Sequence, residues 1–121
     1  MIPDNAIDLN LPWPPSVNHY WRNVNGVMKI SQAGRIYQED VGVVLAIAER
    51  PKVTGRVGIY IVAYPPDKRR RDLDNLLKAT LDSLQAGGVF EDDGQIDDLR
   101  IVRSSEQEKG FLAVRVWEIV P

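Results

Sequence analysis

The chain has no cysteine and a single histidine, His19. The first absence excludes disulfides and thiolate zinc sites, and the second leaves little for a histidine-based metal centre. A hard-cation site built from carboxylate oxygens stays open. No apolar run approaches the roughly 20 residues of a membrane span. The opening MIPDNAID lacks the basic start and apolar stretch of a secretory signal. No membrane association is expected, and a cytoplasmic location is. A basic excess is missing too: net charge is -2, whereas nucleic-acid binders are usually basic. The charge is nonetheless polarised. Lys68-Arg69-Arg70-Arg71 is a run of four cations, and much of the acid follows in Glu91-Asp92-Asp93 and Asp97-Asp98.

What is present suits one soluble globular domain over residues 1–121. Hydrophobic residues make up 44% and charged residues 26%, with no repeat or linker. Ile7 to Leu11 alternates like a half-buried strand, and Pro12-Trp13-Pro14-Pro15 stops it. Ser16 to Gly26 reads as a loop, with a short strand possible over Val27 to Ile30. Ser31 is placed to cap a helix reaching about Glu49, its stripe being Tyr37, Val41, Val44, Leu45 and Ala48. Arg56 to Tyr64 is apolar on both faces, as a central strand covered on each side should be. A second helix is expected over Leu73 to Gln85, closed by Gly87-Gly88, with Leu73, Leu76, Leu77, Leu81 and Leu84 inward. Asp92-Asp93-Gly94 reads as a turn. Leu99 to Ser104 and Phe111 to Ile119 look like an antiparallel hairpin about Lys109-Gly110. The fold class is α+β: a small mixed β-sheet packed by two α-helices in the order β-(β)-α-β-α-β-β.

Chemistry concentrates in Arg69-Arg70-Arg71-Asp72-Leu73-Asp74-Asn75-Leu76-Leu77-Lys78. Phosphodiester hydrolysis needs such parts. Carboxylates hold a divalent cation, which activates water and offsets phosphate charge. Arginines grip neighbouring phosphates, and a lysine can stabilise developing negative charge or orient the attacking water. Each residue has a plainer use. Asp72 can cap the helix, Asp74 and Lys78 can form a surface ion pair, and the arginines can be a solvated loop. Their conjunction within ten residues favours the catalytic use. A helix followed by a return strand could bring Asp72 and Asp93 to one sheet edge, a geometry the sequence does not itself supply. The loop with Asn18, His19, Tyr20 and Trp21 could stack on bases or touch phosphates, or could be a stiff loop pinned by Trp13.

Three ordered segments resemble the RusA family of Holliday junction resolvases. They are Leu11-Pro12-Trp13-Pro14-Pro15-Ser16-Val17-Asn18-His19-Tyr20, the Arg69 to Lys78 segment, and Gly88-Val89-Phe90-Glu91-Asp92-Asp93. The resemblance spans nearly the whole chain. It implies a homodimer that resolves four-way junction DNA by paired nicks, using Mg²⁺ or Mn²⁺. It further implies that Asp72, Asp74 and Asp93 are the metal-binding carboxylates, with Lys78 the essential lysine and Arg71 a DNA contact. Asp92 is the neighbour most easily confused with Asp93. Lys68, Arg69, Arg70, Asn75, Asn18 and Tyr20 complete the expected DNA-binding set. A C2 dimer would match the junction's approximate two-fold symmetry. Two alternatives stay open: a metal-dependent nuclease for other branched DNA or RNA, and a non-catalytic DNA-structure-binding protein.

Overall fold

Ile7–Pro12 forms strand β1, whose Leu9 and Leu11 point into the core. The computed structural model describes residues 2–120. The segment expected as a loop instead carries a short helix, α1 (Val17–Tyr20), and strand β2 (Trp21–Val24). β2 pairs with β3 (Val27–Ile30) in a separate two-stranded hairpin. Its turn, Asn25-Gly26, has positive φ at both residues, the geometry that two-residue hairpin turns favour.

Helix α2 (Gln32–Ile47) starts as its sequence dictates, with the Ser31 hydroxyl accepting the Gly34 N–H at 3.0 Å. Tyr37, Val41 and Leu45 are buried, while Ala48 lies past the helix end and is exposed. Glu49 and Arg50 turn the chain out through left-handed backbone before Pro51.

Strand β4 (Val57–Tyr64) leads through a loop into a 3₁₀ turn, Leu73–Leu76, and then helix α3 (Leu77–Ala86). A second 3₁₀ turn, Asp93–Gln95, feeds β5 (Ile96–Arg103), and β6 (Phe111–Glu118) follows. The buried face of α3 uses Ala79, Thr80, Ser83 and Leu84 as well as leucines, and Leu73, Leu77 and Leu81 are only partly buried. The small residues allow close approach to α2.

The main sheet has order β1-β6-β4-β5. β5 and β6 are not neighbours, so the expected hairpin is corrected: β5 pairs parallel with β4, and β6 lies antiparallel between β1 and β4. Burial explains the exchange. Leu112, Val114 and Val116 of β6 are fully or almost fully buried, whereas β5 carries Asp97, Asp98, Arg100 and Arg103 and takes the edge. The β4-α3-β5 crossover requires the parallel pairing.

The helices cover one face only, which corrects the expectation that β4 is covered on both sides. Val57, Ile59, Ile61 and Ala63 are fully buried, but Tyr60, Val62 and Tyr64 on the other face are half-buried. The result is a small single domain of mixed α+β content. Among the described residues no helix is long and apolar enough to cross a membrane.

Candidate carboxylate site and nucleic-acid interface

Pro65-Pro66 ends β4, and the next six residues form a loop organised by Asp67. Its carboxylate accepts the Arg69 N–H at 2.9 Å and an Arg71 guanidinium N–H at 2.7 Å. The Arg71 bond, reinforced by the Arg69 amide, pulls the Asp67 carboxyl down to about 2. Arg71 also lies over Trp13, 5.5 Å from the ring centroid, and the Arg103 guanidinium donates to its carbonyl. Arg71 is therefore a braced, mostly covered cation. Lys68, Arg69 and Arg70 project into solvent from the same loop. Trp13, Pro65, Arg71 and Arg103 help line a cleft of about 310 Å³ there, and Asn75 lies by a smaller one with Trp13, Ser16 and Arg70.

Asp72 stands at the entry to the 3₁₀ turn in extended backbone, yet its side chain makes no capping bond. Its carbonyl, not its carboxylate, accepts the Asn75 N–H at 3.2 Å. Asp74 follows within the turn. Both are exposed, and among the described residues neither is in an ion pair. The plain capping use of Asp72 is thus not realised, and two carboxylates two residues apart remain available. Lys78 turns away from Asp74. Its Nζ is 3.4 Å from Asp82 and 5.3 Å from the Trp21 ring centroid.

Asn18 is exposed on α1, as a DNA contact needs to be. Tyr20 is not: it is fully buried, and its hydroxyl accepts from Gln38 at 2.7 Å. Burial also raises its pKa. Tyr20 is a core residue that ties α1 to α2, which corrects its expected place in the DNA-binding set.

The acidic motif lies elsewhere. Asp92 caps its own 3₁₀ turn, accepting the Gly94 N–H at 2.9 Å, while Gln95 accepts the N–H groups of Glu91 and Asp92. The Gly94 bond, then the contact with Asp93, lowers the Asp92 pKa. Asp93 is exposed, and its N–H donates to Gln85 at the end of α3. Asp92 serves the turn, which leaves Asp93 as the freer carboxylate.

Asp72 and Asp74 follow the C-terminal end of β4, whereas Asp93 precedes the N-terminal end of β5. The 3₁₀ turn and α3 run the length between them, so the two groups stand roughly 20 Å apart in one chain. Both ends border β5, but not the same end of it. Among the described residues no group of three or more His, Cys, Asp or Glu is placed to hold a metal. Asp72 and Asp74 supply oxygen donors suited to a hard cation, and a three-carboxylate site is not complete within one chain. Sequence reasoning missed Asp67, Trp13 as a brace for Arg71, Arg103, and the Asp82–Trp21 seat of Lys78. An Asp two residues before Arg69 was a readable signal for the first; the others depend on tertiary contact.

A family model described as Endodeoxyribonuclease RusA matches residues 12–116. Named relatives agree. The chain is 40% identical to the crossover junction endodeoxyribonuclease rusA of Enterobacteria phage HK97, over 95% of this chain and 97% of the relative. It is 37% identical to the RusA of Escherichia coli (strain K12) and 38% identical to that of Shigella sonnei (strain Ss046), with the same coverage.

Proposed function

The chain belongs to the RusA endodeoxyribonuclease family, and on that premise we propose that it is a metal-dependent resolvase of four-way DNA junctions. The observation that carries the reading is local. Two carboxylates in no ion pair among the described residues, Asp72 and Asp74, sit at a helix entry directly beside a loop that displays Lys68, Arg69 and Arg70.

Each side chain has a role there. Arg70 is exposed to take a phosphate, Arg69 is exposed though its Nε lies 3.7 Å from Asp67, and Arg71, fixed by Asp67 and Trp13, holds the loop in shape. Asn75 offers an amide beside the smaller cleft, and Asn18 offers an exposed amide on α1. Asp72 and Asp74 would hold Mg²⁺ or Mn²⁺, which when bound activates water and offsets charge on the phosphate. Lys78 is one turn beyond Asp74 and carries the ammonium for charge that develops on the phosphate. Asp93 belongs to the same carboxylate set by resemblance. Paired nicks on a two-fold substrate call for a homodimer.

The test is a labelled four-way junction compared with matched flap and duplex DNA, with and without Mg²⁺. Symmetric nicks in the junction alone, dependent on Mg²⁺ or Mn²⁺ and abolished by Asp74→Asn, are expected. Equal cutting of duplex and junction would replace this reading with a general nuclease. Junction binding without nicking would replace it with a structural DNA-binding protein.

A further inference from the structure

Helix α3 carries a cation at the end that least favours one. Lys78 lies in the first turn, where the helix dipole is positive. Its partner Asp82 stands four residues on, and a lysine placed before its acid is the weaker order for such a pair. Helix stability therefore does not account for the pair, and its surroundings suggest another use.

The side chain of Asp82 is 21% exposed, the most covered carboxylate in any ion pair of the described residues. It faces the Tyr20 hydroxyl: burial, and after it the Asp82 carboxylate, raise the Tyr20 pKa. Gln38 of α2 donates to the Tyr20 oxygen at 2.7 Å, which leaves the hydroxyl proton to turn towards Asp82. On its other side the Lys78 ammonium lies over the Trp21 ring. Trp21 is itself held. Tyr20 meets it edge-on with ring centroids 5.2 Å apart, and it pairs with Ile30 across the β2–β3 hairpin. The Ser31 hydroxyl donates to the His19 carbonyl at 2.5 Å and the Ser31 N–H to the Tyr20 carbonyl at 2.8 Å, which fastens the hairpin to α1. The small hairpin outside the main sheet thus delivers an indole to the first turn of α3.

We propose that Asp82 and Trp21 are positioning residues for Lys78, and that together they hold its ammonium ready for the phosphate of the strand to be cut. The proposal rests on the catalytic reading of Lys78 above and says what orients that lysine. A lysine stem is flexible, and every bond left free must be ordered when the transition state forms. A charge fixed in place beforehand stabilises the transition state without that reorganisation.

The seat does not use up the ammonium. Asp82 accepts from one of its three N–H donors and the indole face attracts the charge, so donors remain for a phosphate oxygen. The seat is also open in front. The Lys78 side chain is 43% exposed, and Tyr20, Trp21, Gln38 and Asp82 line a cleft of about 750 Å³ whose wall includes Lys29 and Arg35. A group braced from behind and reachable from solvent is placed to meet a substrate.

A double-mutant cycle tests this, read as single-turnover nicking of a preformed complex with four-way junction DNA at saturating Mg²⁺, with junction affinity measured separately. Asp82→Asn should slow nicking by the roughly 10- to 100-fold that loss of an orienting partner costs, and leave affinity unchanged. In a Lys78→Ala background the same change should cost nothing further, because a residue acting through Lys78 has nothing left to act on. Trp21→Leu should slow nicking as well, and Trp21→Phe, which keeps a π face, should slow it less. In the free protein, without metal or DNA, Lys78 should take an amine-acylating reagent more slowly than it does in Asp82→Asn. Asp82→Asn nicking at the wild-type rate, an equal loss with and without Lys78, or equal acylation would each overturn the positioning role. Should Asp82→Asn fail to fold in urea titration, the two Trp21 variants carry the same cycle, and an equal loss in the Lys78→Ala background would overturn it there. Lys78→Ala nicking at the wild-type rate would instead remove the catalytic reading of Lys78, and the purpose of its seat with it.

Discussion

At Lys78 two roles compete for one ammonium. A lysine that only pairs with Asp82 is dispensable, because exposed i,i+4 pairs contribute little. One that stabilises the transition state is not. Lys78→Ala is expected to keep the fold and junction affinity but to lose single-turnover nicking by about 10² to 10³-fold. Lys78→Arg should rescue poorly, since a planar fork does not replace a compact ammonium. A Lys78→Ala rate near wild type would leave the residue as a surface pair. Asp67 gives a pH prediction. Its folded-state pKa is lowered to about 2 from 3.8, so the Asp67–Arg71 brace is at full strength above the ordinary carboxylate range and is lost as pH falls through about 2. Carboxyl NMR should find Asp67 titrating at about 2, and Arg71→Ala should return it towards 3.8. These contacts were hidden in the sequence because Trp13 and Arg71 are far apart along it and meet only on the folded surface.

Elements were legible where one local signal agreed with burial. Ser31 caps α2, its Tyr37-Val41-Leu45 stripe is buried, and β4 runs over Val57–Tyr64 nearly as its apolar residues demand. The last two strands show the limit. Lys109 and Gly110 do turn the chain with positive φ, so the turn signal was real, but a turn does not choose its strands' partners. That choice follows from β6 being apolar enough for the middle and β5 too charged for it. The α2–α3 contact was missed in part because Ala79, Thr80 and Ser83 look neutral in a leucine-based stripe. Ser83 Oγ is buried and has no hydrogen-bond partner among the described residues. Ser83→Ala should therefore be neutral or stabilising by up to about 1 kcal/mol in urea unfolding. On the open face the Trp117 indole rests on Gly58, and a Cβ there would overlap the ring. Gly58→Ala should displace the indole, shift its fluorescence, and cost about 1–3 kcal/mol.

For the whole molecule, net charge of -2 opposes DNA, so affinity is expected to lean on a local patch that includes Lys68 to Arg71. Neutralising Arg69 and Arg70 together should flatten the salt dependence of junction binding by about two units of slope. An unchanged slope would mean that the loop faces away from DNA. Neutralising the braced Arg71 should instead disturb loop shape and act on affinity more than on slope. The expected carboxylates could be named from the sequence but not placed, because sequence spacing between Asp72 and Asp93 does not say that α3 holds them apart. The position of β6 carries a further consequence. It is the last strand of the sheet in chain order, yet it lies at the centre, and the Asp8–Arg115 ion pair joins residues 107 apart. During synthesis β1 and β4 must wait for it with unsatisfied edges, and the sheet closes only after Glu118 has left the ribosome. Folding should thus be slow for the chain's size, and a nascent chain stalled before β6 should be prone to aggregation.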